Sequence, residues 1–152
     1  MTYVTVAEQV KTKLYDNWTL TGILAKTKIH FNTEWYDGDV PGPQISVCPL
    51  FRTQHDMFGP RLGSTSMSLM SYDRYIVNLW YPIPYGESGH EHTAAIEQMR
   101  IEVVRILNAQ RETYTLPVSM VIPLDQGNPR HSHIKIPRLL RIEVLIQVDI
   151  AT

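Results

Sequence analysis

The clearest pattern of apolar and polar positions lies in the last part of the chain, where the two kinds of residue alternate. One side of this segment is apolar at every second residue: Leu140, Ile142, Val144, Ile146, Val148 and Ile150. The other side is mostly polar: Arg141, Glu143, Gln147 and Asp149, with Leu145 among them. A period of two is that of a β-strand, and one polar face is typical of antiparallel sheets. The segment therefore predicts a half-buried antiparallel strand.

Two other segments carry apolar residues at helical spacing. Thr5-Val6-Ala7-Glu8 fits a capping box, and the apolar residues that follow at steps of four predict a helix over residues 5–17. Ser88-Gly89-His90-Glu91 is a second capping box, and an apolar stripe follows it at steps of three and four: Ile96, Met99, Val103 and Ile106. This amphipathic pattern predicts a second helix over residues 91–110.

Four further segments are rich in β-branched and aromatic residues and predict strands: residues 28–36, 44–51, 72–81 and 116–122. The third is apolar on both sides, which predicts a strand covered on both faces and ended by Pro82-Ile83-Pro84. Pro49 is expected at a sheet edge or bulge. Residues 52–71 have no period and predict a long loop or an extended hairpin.

The predicted order is helix, two strands, long excursion, strand, helix and two strands. This order predicts one α+β domain over residues 1–152, with a mostly antiparallel sheet and two helices packed on one face. A loop is expected over residues 126–138, because it holds Gly127, Pro129 and several polar residues.

Composition adds a hint about partners. Charged residues make up 19% of the chain, against about 25% in typical soluble domains. A surface this poor in charge predicts contact with other protein. The net charge of −1 argues against nucleic-acid binding through global electrostatics. We also expect no membrane contact and no signal peptide, because no apolar stretch approaches the roughly 20 residues of a bilayer span.

Histidines and the single cysteine are the candidates for chemistry. His90 with His92, and His131 with His133, have a spacing that places metal ligands together only in a strand. The first pair lies at a predicted helix start and the second in a predicted loop, so we interpret all four as exposed polar residues. Cys48 excludes an internal disulfide and is interpreted as a buried apolar residue. We therefore predict no metal site, cofactor or catalytic residue; a small His- or Cys-dependent enzyme stays the alternative.

Two segments predict contact with a partner. The stretch 126–142 has several bases and no acid, which suits an acidic partner or a phosphate backbone. Its candidates are Arg130, His131, His133, Lys135 and Arg138. The excursion 52–71 holds large apolar residues outside any clear core element, which suits a protein partner. Its candidates are Met57, Phe58, Arg61 and Leu62.

The order of elements resembles a known family. A capped N-terminal helix, strands and a long excursion precede a strand ending in Tyr81-Pro82-Ile83-Pro84, followed by an amphipathic helix from Thr93 to Gln110 and the alternating strand from Arg138 to Ile150. This is similar to the tail terminator proteins of tailed bacteriophages (tail completion, or minor tail protein U-like) and to their neck and head–tail joining relatives. The likeness covers most of the chain and lies in size, element order and the last strand.

The resemblance implies a non-enzymatic structural protein of the virion, assembled in the host cytoplasm. Such proteins form a ring, usually a hexamer, that caps the tail tube, stops its growth and meets the head connector. Loops 52–71 and 123–138 would reach neighbouring subunits, tube or connector. DNA would pass through the lumen without sequence-specific binding. Another neck, head-closure or tail-tube protein of the phage is the alternative within this class.

Overall fold

Two long strands, β3 (Met70–Ile83) and β6 (Arg138–Ala151), form the centre of the sheet. They pair antiparallel over fourteen residues each. The computed structural model describes residues 5–49, 70–87, 89–115, 118–124, 129–132 and 138–151. The apolar side of β6 is buried from Leu140 to Val148. The half-buried antiparallel strand expected there is confirmed.

Four shorter strands flank this central pair. On one side, β2 (Gln44–Pro49) runs antiparallel to β3, and β1 (His30–Asn32) pairs parallel to β2. On the other side, β4 (Val118–Pro123) and β5 (Pro129–Ser132) pair antiparallel with successive parts of β6. The described sheet has the order β1-β2-β3-β6-β4, with β5 beside β6. A mostly antiparallel sheet in an α+β fold is therefore confirmed.

Both helices pack on the same face of this sheet. Helix α1 (Val6–Asp16) begins at Thr5, whose Oγ1 accepts a hydrogen bond from the Glu8 amide at 3.2 Å. Helix α2 (Gly89–Ala109) packs on β3, β4 and β6, and α1 packs on β2. One continuous core joins the apolar stripes of both helices to the inner residues of the sheet. The two predicted helices are confirmed; Ser88, the first residue of the second capping box, lies outside the described residues.

A buried carboxylate ties α2 to the chain that leaves α1. Glu102 is 5% exposed and accepts hydrogen bonds from the Thr19 amide at 3.0 Å and the Thr19 hydroxyl at 2.9 Å. Arg105 donates to the same carboxylate and also to the Asn17 carbonyl. Burial alone raises the pKa of Glu102, but the hydrogen bonds from Arg105 and Thr19 outweigh it and hold the pKa below its ordinary value.

This network makes stability depend on acid pH. A lowered native pKa contributes stability above the ordinary value of 4.5, and that contribution is lost as the pH falls through the lowered pKa. We expect Glu102→Gln to cost about 1–3 kcal/mol of unfolding free energy at pH 7, the range for hydrogen bonds to a charged group. The cost should be smaller at pH 3 than at pH 7 in urea titrations. A cost that is the same at both pH values would contradict this role.

The structure corrects three sequence-based boundaries. Strand β1 has only three residues, because 3₁₀ turns at Gly22–Leu24 and Lys26–Lys28 precede it and the Asn32 side chain accepts from the Glu34 amide just after it. Strand β3 runs through Pro82 to Ile83. Strand β2 starts opposite Trp80, so beyond that point β3 pairs with β6 alone and a proline removes no bond to β2.

The third correction concerns the loop expected over residues 126–138. Residues 129–132 of it form β5, because they pair with β6 where β4 no longer does.

Pro49 ends β2 past the last residue that β1 pairs with, in agreement with the expected edge position. The excursion 52–71 lies outside the described residues except for its last two, which begin β3.

Candidate functional site

The face of the sheet opposite the helices carries a buried polar cluster, which we call the outer-face cluster. It consists of Gln44, Ser46, Asn78, Trp80 and Arg141, which the strand registers place side by side. The first three are fully buried, and Trp80 is 2% exposed with its Nε1 donating to the Ser46 hydroxyl at 3.2 Å. Of the third predicted strand, residues 77–81 are covered on both faces as expected, whereas residues 73–76 are only half-buried.

Arg141 is the centre of this cluster. Its guanidinium carbon lies 4.6 Å from the Trp35 ring centroid and 4.9 Å from that of Trp80. It donates to Asn78 Oδ1 at 2.8 Å and forms an ion pair with Glu143 at 2.7 Å. Cation–π contacts and charge-assisted hydrogen bonds therefore fix the guanidinium on three sides. The two tryptophan rings meet edge to face at 5.1 Å between centroids.

This cluster holds a loop against the outer face. The Gln44 side-chain amide donates to the carbonyls of Asp37 and Val40, and its oxygen accepts from the Asp37 amide at 3.0 Å. Trp35 and Tyr36 both contact the Trp80 ring. The backbone of residues 35–40 is thus fixed by side-chain contacts rather than by strand pairing.

The same loop presents acidic groups to solvent, and we call residues 34–39 the acidic loop. Glu34, Asp37 and Asp39 are exposed, and none of them forms an ion pair within the described part of the chain. Burial raises the pKa of the Tyr36 hydroxyl, and the Asp37 carboxylate raises it further, so this phenol stays neutral. Trp35 is 53% exposed in spite of its contacts with Trp80 and Arg141.

A basic surface lies on the other side of the same sheet edge. An open cavity of about 290 Å³ between α1 and β1 is lined by Lys11, Thr12, Tyr15, Ile29 and Phe31. Lys26 and Lys28 belong to the 3₁₀ turn that directly precedes the lining residue Ile29. We call Lys11, Lys26 and Lys28 the lysine surface. Within the described residues none of the three has a carboxylate partner.

Aromatic rings form the floor of this surface. Tyr15 and Phe31 meet edge to face at 5.4 Å between centroids, and the Lys26 ammonium lies 5.0 Å from the Tyr15 ring centroid. Such a floor can take up both a carboxylate, through the lysines, and the face of an aromatic ring.

The structure leaves most sequence-based candidates for partner contact untested. Arg130 lies in β5 directly opposite Arg141, His131 lies opposite Leu140, and Arg138 is the first residue of β6. The remaining candidates lie outside the described residues: Met57, Phe58, Arg61, Leu62, His133 and Lys135. The proposed partner contacts of all these residues therefore remain predictions.

The candidates for chemistry have local partners. His92 Nε2 lies 2.7 Å from Glu87 Oε2, and its ring lies 5.2 Å from that of Tyr81. Cys48 is half-exposed on the outer face, where its thiol donates to the Glu34 carbonyl at 2.6 Å. The expected burial of Cys48 is wrong, because its neighbours Ile45 and Val47 take the core side of β2. In the described ranges no three His, Cys, Asp or Glu residues are placed to hold a metal ion.

Sequence reasoning missed both charged surfaces. The sequence-based candidates for partner contact include none of the acids at positions 34–39 and none of the lysines at positions 11, 26 and 28. The available signal was the separation of acidic from basic residues along the sequence, since residues 33–43 contain three acids and no base.

Among the helices that the structure describes, none is long and apolar enough to cross a membrane.

Comparison with known proteins gives one informative result. No family model matches the sequence, and no curated protein matches it. Among solved structures, the chain is similar to one in the "Virion of native gene transfer agent (GTA) particle", with 10% sequence identity and a TM-score of 0.56. The match covers 99% of this chain and 100% of that chain. At this identity the likeness shows a shared fold, and the two chains share it from end to end.

Proposed function

We propose that this chain is a non-enzymatic structural protein of a phage or phage-like virion. The observation that carries the proposal is the shared fold, over the whole of both chains, with a component of a gene transfer agent particle. The order of elements supports it independently, because it resembles that of tail terminator proteins. The charged fraction of 19% also suits a chain whose surface is covered by other protein.

Within the virion, the chain forms a ring that caps the tail tube and joins the tail to the head connector. A ring arises when each copy binds the next through two different surfaces and the rotation closes. Two such surfaces, the acidic loop and the lysine surface, are available on the described part of the chain. The ring is expected to be a hexamer, and its partners are the tail tube protein and the connector.

DNA passes through the lumen of this ring without sequence-specific binding. The basic candidates near β5 and the start of β6 are proposed for lumen or partner contact: Arg130, His131, His133, Lys135 and Arg138. The apolar excursion residues with Arg61 are proposed for contact with tube or connector: Met57, Phe58 and Leu62. A symmetric ring multiplies a modest basic patch, so the net charge of −1 is compatible with a positive channel.

Deletion of the gene from the particle that encodes it tests the cap directly. Without a cap, the tube protein should continue to polymerise, so electron microscopy should show tails of irregular, excessive length and separate filled heads. Expression of the chain in trans should restore tails of uniform length joined to heads. Uniform tails that stay unattached would contradict the cap and favour a head-closure protein. Normal particles after deletion would exclude both.

A further inference from the structure

Opposite charges lie on the two sides of the β1 edge and do not meet within one chain. The lysine surface is on the side of α1, which packs on the core face of the sheet. The acidic loop is on the outer face, where Gln44 and Trp80 hold it. None of the ion pairs between described residues joins the two. Within the described part of the chain, each surface is thus left without its complement.

We propose that the acidic loop of one copy docks on the lysine surface of the next copy, and that this contact closes the ring. The inference rests on the ring of the proposed function and names its interface. Three carboxylates, Glu34, Asp37 and Asp39, meet the three ammonium groups of the lysine surface. Charge complementarity of this kind selects the partner and fixes the register of a contact.

An apolar contact accompanies the charges. One side of the Trp35 ring contacts Trp80 and Arg141, and the other side faces outward. The cavity at the lysine surface has an aromatic floor, Tyr15 and Phe31, and a volume of about 290 Å³. The exposed side of Trp35 covers this floor in the docked pair. A buried aromatic anchor ringed by charges is the usual arrangement at the centre of a protein interface.

The two surfaces define a directed contact. In the ring of the proposed function, each copy uses one surface to bind the copy before it and the other to bind the copy after it. Such a head-to-tail contact continues until the last copy meets the first.

Charge reversal with rescue tests this interface. The lysine variant carries Lys26→Glu with Lys28→Glu, and the acid variant carries Glu34→Lys with Asp39→Lys. Each alone should need at least tenfold higher concentration to assemble, and native mass spectrometry should show mainly the 17.5 kDa monomer. An equimolar mixture should restore the wild-type ring with the two variants alternating, because every contact then joins opposite charges. Wild-type rings should also loosen between about 0.1 and 1 M salt, where the Debye length falls from roughly 10 to 3 Å.

A matched control separates this interface from general charge effects. Arg111→Glu with Glu112→Lys reverses two exposed charges after α2 and should leave assembly unchanged. Circular dichroism should show the same helix content in every variant. A wild-type ring that both interface reversals leave intact would exclude this contact but not the ring. A wild-type chain that stays monomeric at high concentration and on isolated tails would exclude the ring itself.

Discussion

Arg141→Ala is expected to lower the free energy of unfolding by about 2–4 kcal/mol. The guanidinium joins Trp35, Trp80 and Asn78 at one point, and its side chain is 19% exposed. Its loss removes two cation–π contacts of about 0.5–2 kcal/mol each and leaves the buried Asn78 oxygen without its donor, at about 1–3 kcal/mol. These terms overlap, so the expected total is smaller than their sum. Urea unfolding followed by tryptophan fluorescence measures the cost.

The control for this prediction is a second arginine on the surface. The exposed side chain of Arg111, which follows α2, donates to the Asn108 side chain, so Arg111→Ala should change stability by no more than about 0.5 kcal/mol. Arg141→Lys keeps the charge but loses the planar stack, and an intermediate cost is expected. If Arg141→Ala and Arg111→Ala cost the same, the outer-face cluster does not contribute to stability.

Trp18→Ala is expected to have the largest effect on the core, about 3–5 kcal/mol. Trp18 is 5% exposed, its Nε1 donates to the Leu24 carbonyl at 2.7 Å, and its ring meets Phe31 edge to face. The substitution opens a cavity between α1 and the 3₁₀ turns and removes the donor from a buried carbonyl. Since these turns carry Lys26 and Lys28, assembly should weaken as well.

Trp18→Phe separates the two contributions. It keeps most of the apolar contact but loses the hydrogen bond to Leu24, so a cost of about 1–2 kcal/mol is expected. Thermal and urea unfolding of both variants measure the difference. If the phenylalanine variant is as unstable as the alanine variant, the hydrogen bond rather than the filled volume is what Trp18 contributes.

The elements that the sequence predicts well are those with a regular local pattern of apolar residues. Both helices and β6 have apolar residues at a regular period, so their existence and buried sides follow from the residues themselves. Strand β1 is three residues long and β5 is four, which is too short for a period to show. Their pairing depends on neighbours far away in the sequence. Pro82 remains part of β3 because β2 pairs with β3 only as far as Trp80, a limit that the local sequence around Pro82 does not reveal.

The candidate site was less predictable than the fold. The outer-face cluster requires that Ser46, Asn78 and Arg141 come together from three strands, which depends on two registers at once. A shift of either register by one residue would send these side chains to the core face. The acidic loop and the lysine surface are visible in the sequence as charge blocks. Their positions on opposite faces become clear only when the sheet is known.

The position of β6 also has a consequence for how the chain is made. This strand is synthesised after β1 to β5, yet it lies inside the sheet, between β3 and β4. Its pairing with β3 joins residues that are far apart in the sequence, such as Met70 and Ala151. Strand pairs of such high sequence separation form slowly. On the ribosome, β3 therefore has no main partner until β6 has been synthesised. A chain stalled before residue 138 lacks one of the two central strands, so the sheet that supports the β1 edge is completed only once β6 has paired with β3.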